Sequence, residues 1–154
     1  MTFPATIITN SAEETEAVGI ELAECFVSDG SLPRFIALYG DLGVGKTAFV
    51  RGFTSVFSPK ARVKSPTFAL VNEYKGNGCP SVFHFDMYRI NDEDELYSIG
   101  FYDYFNRNGI CLTEWSENIR YALPERHFAV KIEKCPDGHT DMRKITVSLL
   151  QLEV

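Results

Sequence analysis

The stretch at residues 40–47, GDLGVGKT, fits G-x-x-x-x-G-K-[ST] at every fixed position. Each residue type has a physical task in that pattern. Glycines let the backbone turn its N–H groups inward around phosphate oxygens, where a side chain would block the approach. Leu42, Gly43, Val44 and Gly45 are the expected backbone contacts. Lys46 can reach terminal phosphates as a cation, and the Thr47 hydroxyl is placed to ligate magnesium. A helix starting at the end of the loop would add its partial positive charge. The chemistry is capture of a nucleoside polyphosphate with its magnesium ion.

Magnesium also needs an acidic group, usually at the end of a neighbouring strand. Two carboxylates stand directly after apolar runs: Asp86 in HFDMYR (residues 84–89) and Glu114 in LTEW (residues 112–115). Each is a candidate metal ligand or catalytic group, against the ordinary fate of a solvated carboxylate. The guanine signature [NT]-K-x-D is missing, which favours ATP as the nucleotide. SPTF at residues 65–68 follows the loop helix, where P-loop switch proteins hold a threonine that senses the γ-phosphate; Thr67 is that candidate. Ser and Pro are also common turn residues, so the segment alone is a weak signal. Arg89 is open to two readings, a phosphate contact or an ion pair with Asp86. Trp115 either stacks on the nucleotide or fills the core. Lys60, Arg62 and Lys64 read as a solvated loop.

The elements that must position these residues are legible from periodicity. SAEE at residues 11–14 has the form of a capping box. The helix after it puts Val18, Leu22, Cys25 and Phe26 on one face and stops at Gly30. FIALY at residues 35–39 is continuously apolar, as in a central strand covered on both faces. After the loop, Phe49, Val50, Phe53, Val56 and Phe57 recur at helical spacing until Pro59. Residues 68–74 and 81–85 flank a glycine-containing turn and predict an antiparallel hairpin. Asn91 is the expected cap of a short helix over residues 92–99, with a further helical turn at 102–106. Residues 109–113 form a second buried-strand candidate that ends at Glu114. Residues 128–133 and 144–150, either side of Pro136-Asp-Gly138, predict a terminal hairpin. The pattern is one α/β domain over residues 1–154, a P-loop domain with a mixed, partly antiparallel sheet flanked by helices.

Bulk properties narrow the class. At 154 residues, 45% hydrophobic and 23% charged, the chain has the composition of an ordinary globule with one core. A net charge of -6 argues against unaided grip on nucleic acid, though not against contact through a partner. No signal peptide and no apolar run near the ~18 residues of a membrane span are visible. Cys25, Cys79, Cys111 and Cys135 form no C-x-x-C pair and read as small buried thiols in a reducing compartment, so the expected location is the cytoplasm.

Taken together, GDLGVGKT at 40–47, KSPTF at 64–68, HFDMYR at 84–89, Glu95-Leu96, Ile99-Gly100, Tyr104-Phe105 and LTEW at 112–115 resemble the TsaE (YjeE) family. These are small bacterial ATPases of tRNA threonylcarbamoyladenosine synthesis. The resemblance implies a compact P-loop fold with the SPTF segment near the nucleotide. It implies that Lys46 binds phosphate, that Thr47 and Glu114 hold magnesium, and that Asp86 is a second acidic residue required for hydrolysis. Trp115 would lie near the nucleotide, and the helix start at Ser11 and Ala12 would border the adenine. Arg143, beyond the clear resemblance, is the candidate for a C-terminal nucleotide contact. The implied partners are TsaD and TsaB, which modify the adenosine beside the anticodon, so tRNA is met through the complex. Two rivals remain on the residues alone: a small-molecule kinase, and a scaffold in which ATP only orders a binding surface. A kinase usually needs an arginine-bearing lid, and the arginines here are scattered.

Overall fold

The structure, a computed structural model, describes residues 1–41 and 43–151. Leu42, one of the expected loop contacts, lies outside the described residues, as do residues 152–154. The chain runs through β1 (Ala5–Thr9), α1 (Ala12–Ser28), β2 (Phe35–Tyr39), α2 (Lys46–Phe57), β3 (Val71–Tyr74) and β4 (Ser81–Asp86). It continues with α3 (Glu93–Ser98), a 3₁₀ segment (Phe101–Asn106), β5 (Gly109–Glu114), a second 3₁₀ segment (Ser116–Ala122), β6 (Arg126–Lys134) and β7 (Arg143–Gln151).

Among the described residues, seven strands form one mixed sheet in the order β1-β7-β6-β2-β5-β4-β3. The middle four, β6, β2, β5 and β4, are parallel to one another, while β7 with β1 on one side and β3 on the other pair antiparallel. The apolar runs explain this placement: β5 is buried at every position and β2 at all but the last, so both need cover on two faces. One face, with Ile36, Leu38, Val82, Ile110 and Leu112, packs under Val18, Leu22, Phe26, Phe49, Phe53 and Phe57 of α1 and α2. The other face carries Phe35, Ala37, Phe83, Phe85 and Cys111 under Leu96, Phe101, Ile119 and Ala122.

Of the expected capping box before α1 the Ser11 half forms, while the return bond of Glu14 goes to Asn10, one residue before the N-cap. Ser11 Oγ accepts from the Glu14 N–H at 3.1 Å, and the Glu14 carboxylate accepts from the Asn10 N–H. At α3 the cap lies one residue later than expected. Asp92, not Asn91, takes the extended N-cap conformation, and its carboxylate accepts from the Glu95 N–H at 2.8 Å. The ionised Asp92 carboxylate captures the amide three residues on, and Asn91 gives its own N–H to the Glu95 carboxylate.

Three further differences have clear physical causes. The hairpin strand begins at Val71 instead of Phe68, because Leu70 is left-handed (φ 67°) and its N–H turns back to Pro66 O at 2.9 Å. β1, a short β-branched stretch, exists because β7 offers it an antiparallel edge from Ala5↔Val147 to Thr9↔Arg143. Of the four free cysteines only Cys111 is buried; Cys25, Cys79 and Cys135 are half-buried. Burial pushes the Cys111 thiol up to about 12. No helix among the described residues is long and apolar enough to cross a membrane.

Candidate functional site

Parallel strands present their carboxyl ends on one edge, where loops leave the sheet and a crevice opens. Here that edge carries the 40–47 loop after β2, Asp86 at the end of β4 and Glu114 at the end of β5. The β4–β5 register pairs Asp86 with Glu114, so both carboxylates lie side by side on the α1–α2 face. They open into a cavity of about 780 Å³ lined by Gly43, Gly45, Lys46, Thr47, Ser65, Thr67, Asp86, Tyr88, Glu114 and Trp115.

The loop backbone depends on glycine at two points. Gly45 sits at φ 110° as the N-cap of α2, where an L side chain is strained. At Gly40 (φ 150°) a Cβ would also meet the Ile132 carbonyl oxygen at 2.7 Å. Because Gly45 has no side chain, no side-chain cap closes the start of α2, and no acidic residue stands in its first turn. The first-turn N–H groups are therefore available to an anion, with the helix dipole behind them.

Lys46 is 7% exposed and donates to Gly40 O at 2.7 Å. Its Nζ stands 3.9 Å from Glu114 Oε1 and 5.1 Å from the Trp115 ring centre. Glu114 accepts at its other oxygen, Oε2, from His84 Nε2 at 3.0 Å. Asp86 Oδ1 accepts from the Tyr88 N–H at 2.9 Å. Trp115, left-handed at φ 57°, is half-buried and packs on Tyr88 at 5.0 Å between centroids. It thus lines the cavity as well as touching the core. Thr67 is exposed at the cavity wall, its hydroxyl 2.9 Å from that of Ser65. Tyr39, in a neighbouring pocket with Val44 and Trp115, has its phenol pushed up, first by burial and then by the Glu117 carboxylate.

Some expected residues stand behind the loop instead of in the cavity. Arg143 is not among the cavity-lining residues; its Nε donates to Val44 O at 2.8 Å and its Nη1 to Thr140 O and Met142 O. Val44 is itself buried in the core, so its contribution is its carbonyl and its packing. Ser11 and Ala12 are also absent from the cavity wall; the start of α1 follows Thr9, the register partner of Arg143. Arg89 pairs with no carboxylate among the described residues; its guanidinium lies 5.6 Å from the centre of the exposed Phe68 ring. Tyr88 and His84 sit in or beside the site without having been singled out by sequence. Tyr88 was hidden by position alone, and His84 by its place in an apolar alternation.

The donor set fits a magnesium polyphosphate. No group of three or more His, Cys, Asp or Glu among the described residues could hold a metal by itself. Magnesium usually takes one or two carboxylates and completes its shell with phosphate oxygens and water, which Thr47, Asp86 and Glu114 around one cavity allow.

Known proteins resemble this chain over most of its length. The family model described as "Threonylcarbamoyl adenosine biosynthesis protein TsaE" matches residues 9–145. A Haemophilus influenzae protein named tRNA threonylcarbamoyladenosine biosynthesis protein TsaE is 45% identical over 67% of this chain. The match spans 65% of that relative, just under two thirds of its length. The Bacillus subtilis protein of the same name is 37% identical over 90% of this chain and 81% of its own. The crystal structure of Bacillus subtilis YdiB superposes with a TM-score of 0.71 at 31% identity, covering 97% of this chain and 88% of that one. By the reach of the family model and the identity of these relatives, this chain belongs to the TsaE family.

Proposed function

We propose that the chain binds and hydrolyses ATP with magnesium and serves tRNA threonylcarbamoyladenosine synthesis as a nucleotide switch on a TsaD–TsaB complex. The observation that carries this reading is the uncapped start of α2, with Lys46, Thr47, Asp86 and Glu114 converging on one cavity. The names of the relatives supply the pathway. The single sheet formed by the described residues supports treating residues 1–154 as one ATPase domain. A role in tRNA modification is the ground for proposing the cytoplasm as its location.

In the reaction, water adds to the γ-phosphorus, the bond to the bridging oxygen breaks, ADP departs and a proton is lost. The α2 amides and the loop backbone of Gly43 and Gly45 hold the phosphates. Lys46, now donating to the Gly40 carbonyl, exchanges that acceptor for phosphate oxygens and balances their charge. Thr47, Glu114 and Asp86 would hold magnesium, which spreads the charge on the phosphates. Trp115 and Tyr88, packed on each other, form one wall of the cavity. Thr67 and Ser65, exposed at that wall, would change their contacts when a γ-phosphate is present, which makes 65–68 the switch segment. With net charge -6, tRNA is held by the partners.

The test is release of free phosphate from ATP and magnesium, with and without TsaD and TsaB. Slow release alone and faster release with the pair supports the reading. Transfer of phosphate to a metabolite, or no release under either condition, contradicts it.

A further inference from the structure

His84 lies in the middle of β4, is fully buried, and stands opposite Leu112 in the β5 register. On the same sheet face it lies between aliphatic Val82, Ile110 and Leu112 on one side and Asp86 and Glu114 on the other, with Asn72 as its β3 register partner. The ring meets Glu114 Oε2 through Nε2 at 3.0 Å, while its Nδ1 has no hydrogen-bond partner in the described structure. A carboxylate only accepts, so the hydrogen belongs on Nε2, and Nδ1 turns a lone pair into the core. An imidazole with one nitrogen unpartnered is an expensive way to fill space. What it provides is a fixed donor beneath Glu114.

That donor has a geometric consequence. With Oε2 held, the Glu114 carboxylate cannot turn both oxygens toward Lys46, and Oε1 stays 3.9 Å from Nζ, beyond hydrogen-bond distance. The ammonium bonds the Gly40 carbonyl instead. We propose that His84 is the positioning residue of the site: its Nε2–H anchors Glu114 so that the carboxylate faces magnesium and does not close a tight ion pair with Lys46. The proposal rests on the magnesium-nucleotide reading of the cavity. It assigns His84 no contact with nucleotide or metal.

The experiment measures the affinity for ADP and for a non-hydrolysable ATP analogue by the fluorescence of Trp115, the single tryptophan, with and without magnesium. ATP turnover and thermal stability are measured alongside. In His84→Leu the magnesium concentration for half-effect should rise by about 10–100-fold, as for lost outer-shell partners of metal ligands. His84→Gln, whose amide can offer a donor to the same oxygen, should recover most of that loss. In a Glu114→Ala background, adding His84→Leu should change the magnesium requirement less than about twofold, since a residue acting only through Glu114 has nothing left to act on. Should His84→Leu fail to fold, His84→Gln and His84→Asn make the comparison, because only the longer amide reaches Glu114. A wild-type magnesium requirement in His84→Leu, an undiminished effect in the Glu114→Ala background, or equal behaviour of the Gln and Asn variants overturns the proposal. Loss of magnesium dependence in Glu114→Ala but not in His84→Leu overturns this proposal alone. A wild-type protein whose nucleotide affinity and turnover ignore magnesium overturns the reading beneath it.

Discussion

Gly52→Ala should destabilise the protein, although alanine is the better helix former. The site stands on α2, and α2 is seated on α1 through two glycines. A Cβ on Gly52 would lie 1.9 Å from Glu16 O, and one on Gly19 would lie 2.2 Å from Phe49 O and 2.8 Å from Phe53 N. The obstacles are backbone atoms, so no rotamer change relieves them. Restoring ordinary contact at about 3.4 Å would require the helices to part by about 1.5 Å at Gly52. Overpacking of that kind costs about 1–3 kcal/mol, with the upper end apt for a backbone clash. The gain from replacing a mid-helix glycine returns about 1 kcal/mol. The net is about 2 kcal/mol of destabilisation, a fall in Tm of about 4–8 °C for a chain of this size. Gly19→Ala should behave alike, and Gly30→Ala, with nothing within 4 Å of its Cβ, should leave Tm within about 1 °C or raise it. Thermal unfolding followed by circular dichroism reads all three. A Gly52→Ala protein as stable as the wild type would refute the close helix crossing, and with it the seating of Lys46 and Thr47.

Glu114→Gln keeps the shape of the carboxylate and removes its charge, so ATP turnover should fall at least about tenfold and the remainder should need more magnesium. Asp86→Asn should also slow hydrolysis; unchanged turnover and magnesium dependence in Glu114→Gln would assign the metal to Asp86. Thr67→Ala should leave nucleotide affinity near the wild-type value but shrink the preference of TsaD–TsaB for the ATP-bound over the ADP-bound protein, expected on the order of tenfold in the wild type. Equal partner affinities with both nucleotides in the wild type would remove the switch. Cys111, its thiol raised from 9.0 to about 12 by burial, should resist alkylation in the native protein while Cys25, Cys79 and Cys135 react. Its native proton is retained where the unfolded chain has lost it, so this group makes stability fall as pH rises through that window. Alkylation of Cys111 at the rate of the other three would contradict its burial.

Strong local rules made much of the site legible. The 40–47 loop carries its own pattern, and the apolar runs on either side of it can only be a buried strand and an amphipathic helix. Asp86 and Glu114 stood out because each ends such a run. What sequence could not show was register: nothing local says that Asp86 and Glu114 become neighbours, or that His84 turns its ring under Glu114. Arg143 shows the same gap, since a lone arginine 99 positions from Val44 reveals no carbonyl partner until β7 is set in the sheet. Gly19 and Gly52 look like weak points in two helices, and only the crossing explains them. β1 was passed over because ATIIT is too short to show alternation, and its strand depends on the edge of β7.

On the proposed function, ATP held by the 40–47 loop drives this chain's part in tRNA modification. Lys46→Ala removes the cation that faces the cavity while α2, α1 and the core beneath keep their contacts. The most direct measurement is repeated-turnover formation of threonylcarbamoyladenosine on tRNA by TsaD and TsaB, with wild-type protein or folded Lys46→Ala, magnesium and ATP. Sustained modification is expected with the wild type and a loss on the order of 10²-fold with Lys46→Ala, matched by the loss of phosphate release. Full modification supported by a folded Lys46→Ala protein would contradict the proposed function.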